Sequence, residues 1–582
     1  MYYLNDINII LSGYSGEGIQ HMGYCLSYTL YKNNYYIKTY NNIPSEILSP
    51  TKTKNDISEF FIRFNINKII SYYNFKNTIL ILTNFLSLKK NLKYINKNSI
   101  LILSFNKKNF LLLKKNDYIY KKIINNKIIK INIKKYININ LLLKYNIKKL
   151  SLKNYFKNSF LIGILLYILN LSYKFTIKYF KQKFKKKKNI FLLNYYLIKK
   201  GIKISKTFNF KYYIKKNKNK KINKKYKIIN GNLGIVLGLI LSSIKFNKKI
   251  FFSSYPITPS ISIYKYFKKY SKLFKIIIFN SEDEISSICT SIGASLNYKK
   301  YIGITATSGP GMSLLQESLG LAIVLEIPLI IINVQRVGPS TGFPTKLEQS
   351  DLMQSIYGRH GEAPLPVFAL YNIKNIIKLI YLIFKLSFEL MSPIIILSDI
   401  FLSNNLSLWK KKINNIFKIK NIKINKKLIY NYNKKKIIGG LITNINNHKK
   451  IIIKRQNKIN YIIKKYYKYT YKFIGYKNGK ILIISWGSNY EIIKETLNIL
   501  FKKKIYKIGY LHLICLYPIP KKIIEYYSKK FNKIIIFELN NKQLIYIIKS
   551  YCKININIIS YNKMNGKHLN ILKIIKFIKK KY

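Results

Sequence analysis

Arginine is almost missing from this chain of 582 residues: Arg63, Arg336, Arg359 and Arg455 are all it has, although lysine brings the formal net charge to +85. Arginine is the side chain that grips bases and phosphates with two parallel bonds. The lysines are scattered through most of the chain and form no basic stripe interleaved with stacking aromatics. Composition therefore argues against a specific nucleic-acid binder and for codon drift, although nonspecific attraction to polyanions is expected at this charge. Cysteine is equally sparse. Cys25, Cys289, Cys515 and Cys552 stand far apart with no CxxC pair, which argues against an iron-sulfur cluster or structural zinc held by this chain alone and suggests buried free thiols in a reducing compartment. Apolar runs such as 160–171 and 233–244 fall short of the ~20 residues a membrane-spanning helix needs. The opening MYYLNDINIILSG lacks the basic, apolar, small-residue order of a secretory signal. A soluble cytoplasmic protein is expected.

Alanine occurs only at positions 294, 306, 322, 363 and 369, and eight of the 13 prolines fall between residues 251 and 366. Elsewhere the chain is written mostly in Lys, Ile, Asn, Tyr and Phe. Under mutational drift toward those residues, Ala, Gly, Pro and Arg persist where geometry or chemistry needs them, so residues 251–366 are nominated as the working part. With 48% hydrophobic and 15% aromatic residues the chain has ample material for cores, and its length suits about three domains of ~100–200 residues.

A short apolar strand at 7–11 leads into Gly13-Tyr14-Ser15-Gly16-Glu17-Gly18 and a helix over 19–31, the opening of a Rossmann-like unit. The glycine pattern fits either nucleotide binding or tight strand-to-helix packing. Strands at 36–40, 78–82 and 99–103 alternate with helices and predict a parallel sheet. Residues 158–203 read as helical, with a solvated lysine-rich face at 179–188. The segment 206–227 is lysine-dense and reads as a linker. In the working part, strands at 250–253, 275–279, 301–305, 328–334 and 393–398 alternate with helices such as 283–296 and 314–325. Four of these strands deliver Thr258, the Glu282-Asp283-Glu284 cluster, Thr307-Ser308 and Arg336. Ligands of open parallel sheets bind at the carboxyl edge, so these groups are expected to meet in one crevice. Residues 404–472 are uninformative, and a third α/β unit follows over 477–582.

GNLGIVLGLI, YPITPS, EDEISSICTSIGAS, TSGPGMSL, QRVGPSTGFPTKLEQSDL and YGRHGEAPLPV, together with SGYSGEGIQHMG and NIPSEI before them and SWGSNYEIIKE, LHL and FELNNKQL after, resemble the alpha subunit of 2-oxoacid:ferredoxin oxidoreductases, most closely the 2-oxoglutarate type with a fused N-terminal gamma domain. The resemblance implies three α/β domains: a Rossmann-like gamma domain (1–205), then, after the linker, a thiamine-diphosphate pyrimidine-binding domain (228–405), a connecting segment (406–476) and a transketolase C-terminal-like domain (477–582). It departs from the family at Leu48, where an arginine is expected, and at Val337, where a second glycine is common.

The resemblance also implies the chemistry. Glu284 would bond the pyrimidine ring of thiamine diphosphate, chosen over Glu282 by its distance from Gly293-Ala294. Arg336 would grip the substrate carboxylate. Thr258 would hydrogen-bond substrate oxygens or cap its turn. Tyr255, Pro256, Ile257, Thr307 and Ser308 would line the cofactor, the last two alternatively capping a helix. Arg359 and His360 are left open between a second carboxylate and an interface. No metal site is expected here: the chain lacks the Gly-Asp-Gly pattern for Mg2+ and the diphosphate, so a beta subunit would carry these and a 4Fe-4S cluster. The other implied partners are ferredoxin, the 2-oxoacid and coenzyme A, with no membrane. The implied reaction is oxidative decarboxylation of a 2-oxoacid, 2-oxoglutarate foremost, to acyl-CoA and CO2, with pyruvate or a branched-chain acid as alternatives. Polyanion binding is the reading from another class.

Overall fold

Runs such as ILIL at 100–103 and LIIINVQ at 329–335 contain too many branched apolar residues to face water on either side, so they form the interiors of covered sheets. The computed structural model describes residues 3–4, 6–44, 57–72, 78–137, 139–147, 153–208, 213–214, 222–410 and 445–582. The NIPSEI motif beyond Pro44, Leu48 and residues 209–212 and 215–221 of the 206–227 segment lie outside them. The chain divides into two compact units, Met1–Ile228 with Asn405–Lys411, and Ile229–Asn404 with Lys412–Tyr582.

The first unit holds an eight-stranded sheet. Asp6–Tyr14, Thr78–Leu82, Ile100–Leu103 and Lys127–Lys130 run parallel, with Ile9 opposite Ile79 and Leu80 opposite Leu101. Beyond Asp6–Tyr14 the direction reverses: Ile57–Asn65 pairs antiparallel with it and with Tyr36–Asn42. The sheet is therefore mixed, where the sequence predicts a parallel one, because Ile57–Asn65 goes unrecognised. Its Glu59 and Arg63 disguise a strand that is almost wholly buried. The helical region resolves into Lys153–Ile168, Lys174–Lys183 and Lys188–Ser205. The lysine-rich segment is not wholly a linker, since Tyr226–Ile229 forms an edge strand of this sheet and Ser407 pairs with Lys38. The glycine-rich turn encloses a side chain of its own: Glu17 accepts from the Tyr14 amide at 3.2 Å and Thr83 Oγ1 at 2.6 Å, and pairs with Lys157 at 2.7 Å.

In the second unit, Ile277–Asn280, Lys249–Ser254, Tyr301–Thr307, Leu329–Gln335, Pro393–Asp399 and Val367–Ala369 lie side by side in that order, all parallel. Leu329–Gln335 is central and buried throughout. Each isoleucine there contributes on the order of 1.5–3 kcal/mol by leaving water, which fixes the register of the loops it feeds. Cys515–Tyr517 closes the sheet antiparallel against Val367–Ala369. A second sheet, ordered Tyr471–Gly475, Ile508–Leu513, Gly479–Trp486, Phe531–Glu538, Asn557–Asn562, completes the unit and shares a continuous apolar core with the first. Cys25, Cys515 and Cys552 are buried free thiols as expected, but Cys289 is exposed. No helix among the described residues is long and apolar enough to cross a membrane.

Candidate active site

Because neighbouring strands of the middle sheet run parallel, their carboxyl ends lie along one rim. The rim receives Tyr255–Thr258 from Lys249–Ser254, Ser281–Glu284 from Ile277–Asn280, Thr307-Ser308 from Tyr301–Thr307, and Arg336 from Leu329–Gln335.

Of the three clustered acids only Glu284 is buried, at the first position of the helix Glu284–Leu296. Asp283 is the N-cap, its carboxylate accepting from the Ser286 amide at 2.6 Å, which satisfies an orphan donor and turns Glu284 inward. Burial raises the Glu284 carboxyl above the ordinary glutamate range, Asp283 adds to the rise, and its own backbone amide and the Arg336 guanidinium oppose it. Glu284 and Arg336 thus lie within electrostatic reach of one another. A carboxyl shifted by burial and by specific charged neighbours at a sheet rim is a candidate proton carrier.

Gly311 makes room for this carboxylate. A Cβ there would stand 2.2 Å from Thr307 Oγ1 and 2.6 Å from both Cγ and Oε1 of Glu284. Thr307 is buried, and its hydroxyl donates to the Ser308 carbonyl at 3.3 Å. Ser308 occupies the N-cap position of Gly309–Leu314 without making the cap bond. Its buried Oγ has no partner among the described residues.

Arg336 is 6% exposed, and burial lowers its pKa while Asp351 and Glu284 push it back up. Its Nη1 donates to the Thr258 carbonyl at 2.5 Å, and its Nε has no partner among the described residues. Thr258 is therefore engaged through its backbone. Tyr255, Pro256 and Thr258 are exposed and Ile257 is half-buried.

Asp351 completes the cluster and was not singled out from the sequence. Its Oδ2 accepts from Asn333 Nδ2 at 3.0 Å and its amide donates to Gln335 Oε1 at 3.3 Å. Burial raises its pKa to about 6 against the pull of Asn333 and Arg336. The signal was Asn333, the one polar residue in an otherwise apolar run of strand: a buried amide requires a partner.

Three further groups hold the loop that carries Asp351. Gln349 donates to Asp399 Oδ2 at 2.7 Å and to Ser488 Oγ at 3.3 Å, and accepts from Asn489 at 3.2 Å. Gln543 accepts from the Leu352 and Met353 amides at 3.1 and 3.2 Å. Arg359 donates to the carbonyls of Ser355, Ile356 and Ala363 at 3.1, 2.6 and 2.9 Å. Its guanidinium is thereby committed to closing the helix Leu352–Tyr357, while His360 is exposed.

A buried carboxylic acid, an arginine with an unspent Nε and an unpartnered serine hydroxyl sharing one rim suit an anionic substrate and a polar heterocycle. They fit thiamine diphosphate, whose pyrimidine half requires a carboxyl partner. Among the described residues no group of three or more His, Cys, Asp or Glu could hold a metal ion.

Family models agree with this architecture. Residues 244–468 match the thiamine-diphosphate-binding domain of pyruvate flavodoxin/ferredoxin oxidoreductases, 8–204 match a pyruvate ferredoxin/flavodoxin oxidoreductase domain, and 479–574 match core domain II of pyruvate:ferredoxin oxidoreductase. The 2-oxoglutarate synthase subunit KorA of Archaeoglobus fulgidus is 31% identical over 345 residues, 57% of this chain and 94% of that subunit. The 2-oxoglutarate oxidoreductase subunit KorA of Mycobacterium tuberculosis is 35% identical over 257 residues, 44% of this chain and 39% of that protein. The solved 2-oxoglutarate:ferredoxin oxidoreductase of Magnetococcus marinus, with 2-oxoglutarate, coenzyme A and succinyl-CoA bound, superimposes with a TM-score of 0.83 over 99% of this chain and 100% of that chain at 24% identity, a likeness of fold. The chain therefore belongs to the 2-oxoacid:ferredoxin oxidoreductase family, on the side of its KorA-type alpha subunits.

Proposed function

We propose that this chain is the alpha subunit of a 2-oxoglutarate:ferredoxin oxidoreductase, which converts a 2-oxoacid and coenzyme A into acyl-CoA and CO2 and passes two electrons to ferredoxin. The observation that carries this reading is the meeting of Glu284, Arg336 and Asp351 on one rim, with Arg336 Nε and Ser308 Oγ unspent. Bound thiamine diphosphate supplies the nucleophilic carbon and the electron sink for decarboxylation.

The chain's own side chains bind, orient and manage protons. Glu284, buried at the start of its helix, would hold a ring nitrogen of the pyrimidine half and exchange a proton there. Ser308 Oγ and the Tyr255–Ile257 turn would line that half. Arg336, steadied by the Thr258 carbonyl and the Asp351 charge, would receive the substrate carboxylate through Nε. Thr258, exposed beside Arg336, would offer its hydroxyl to the substrate's oxygens. The diphosphate, Mg2+ and a 4Fe-4S cluster would reside on a beta subunit, so the isolated chain would be inactive. Three domains with boundaries near 205, 228, 405 and 477, working in the cytoplasm, belong to the same proposal.

The test is reconstitution with the cognate beta subunit and measurement of acyl-CoA formation and electron-acceptor reduction across a panel of 2-oxoacids. The highest kcat/KM is expected for 2-oxoglutarate. A preference for pyruvate or a branched-chain acid would move the substrate assignment within the family. Absence of thiamine-dependent turnover with every acid would refute the enzyme reading.

A further inference from the structure

The first unit contains a cavity that the proposed reaction does not use. Its volume is about 370 Å³, within the roughly 300–1,000 Å³ of small-molecule sites. Ile162, Phe180 and Phe184 supply apolar and aromatic wall, with the two phenyl rings stacked at 5.8 Å and 16°. Two polar groups in this wall are unspent. Asn158 is 5% exposed, and its Nδ2 donates to the Glu17 carbonyl at 2.7 Å, which orients the amide and leaves Oδ1 without a partner among the described residues. His21 Nε2 is likewise buried without a partner among them. Burial, aided by the charge of Lys183, holds the His21 ring down to about 4, so it is neutral at physiological pH. The other polar groups of the wall are spent on each other, Ser159 Oγ on Asn194 Oδ1 at 2.5 Å and Asn194 Nδ2 on the Ile190 carbonyl at 2.6 Å. Lys183 and Lys187 also line the cavity and are exposed, so two cations border its apolar wall.

A buried amide oxygen with no donor is destabilising, and an aromatic wall favours a flat apolar body. Two cations in the lining favour an anion. We propose that this cavity binds an aromatic monocarboxylate whose far end carries an O–H or N–H donor, the donor meeting Asn158, the ring lying among the phenylalanines and the carboxylate facing Lys183 and Lys187. The site is independent of the proposed reaction.

Calorimetric titration of the full-length chain with para-hydroxyphenylpropionate tests it, with phenylpropionate and tyramine as the other arms. Para-hydroxyphenylpropionate should bind at a single site. Phenylpropionate, lacking the donor, and tyramine, lacking the carboxylate, should each bind at least about tenfold more weakly. The exposed double variant Lys183→Met/Lys187→Met should weaken the acid at least about tenfold, whereas Lys107→Met/Lys108→Met, two exposed lysines outside the cavity, should not. Equal binding of all three compounds, equal effects of the two lysine pairs, or no saturable binding would overturn the proposal and leave only adsorption to a cationic surface.

Discussion

Gly311→Ala adds one methyl group where the rim has no space. The new Cβ would stand 2.2 Å from Thr307 Oγ1 and 2.6 Å from Glu284 Cγ and Oε1, whereas carbon and oxygen ordinarily approach to about 3.4 Å, so something must move by roughly 1 Å. Overpacking of a closed core costs about 1–3 kcal/mol, and misplacing a catalytic group by about 1 Å costs on the order of a hundredfold in rate. The expected result is a chain that still assembles, melts a few degrees lower and turns over about a hundredfold more slowly. The double variant Gly311→Ala/Thr307→Ala removes the nearer obstruction and leaves Glu284 in the path. It should recover part of the stability and little of the rate. Recovery of rate along with stability would show that the lesion lies in Thr307. Wild-type turnover in Gly311→Ala would refute the placement of Glu284 in the mechanism.

Asp351→Asn separates stability from activity. With its folded pKa raised to about 6 from 3.8, Asp351 favours the protonated folded state, so its contribution is most favourable below the ordinary aspartate range and declines as pH rises from about 4 to about 6. Two units correspond to about 3 kcal/mol at neutral pH, so denaturant unfolding should show Asp351→Asn more stable near pH 7 by up to that amount, with a flatter pH profile. Its turnover should fall because Arg336 loses a countercharge. Gly487→Ala should destabilise the chain by about 1–3 kcal/mol in the same assay, since Gly487 has φ +63° and a Cβ there would stand 2.4 Å from Gln349 Nε2. Thiol titration of the native chain should label Cys289 quickly and Cys25, Cys515 and Cys552 only on unfolding; rapid labelling of all four would contradict the burial.

The middle sheet was legible because its strands are apolar enough to need cover on both faces: the strand expected at 328–334 forms as Leu329–Gln335 and that at 393–398 as Pro393–Asp399. The helix expected at 283–296 begins one residue later because Asp283 is its cap, and the one expected at 314–325 is two helices that meet at Leu315. What stayed hidden was polar material that folding buries. Ile57–Asn65 reads as too charged for a buried strand until Arg63 finds Asp6 at 2.8 Å and Glu59 finds Asn42 at 2.6 Å and Asn91 at 3.0 Å. The helix Ile445–Tyr466, lost in lysine-rich text, is anchored by Lys458 on Glu326 at 2.5 Å and Tyr466 on Glu389 at 2.6 Å. Asp351 was hidden for the same reason. Pairing between residues 17 to 132 positions apart decides whether these charges can be buried, and local pattern carries no trace of it.

The claim on which the rest depends is that the Glu284 carboxyl serves the reaction at the rim of the middle sheet. The most direct test is kcat of the reconstituted complex carrying Glu284→Gln, measured at saturating thiamine diphosphate and 2-oxoacid. Gln keeps the shape and loses the exchangeable proton, so kcat should fall by about a hundred- to ten-thousandfold while assembly with the partner subunit and thermal stability are retained. Wild-type turnover in that complex would contradict the account.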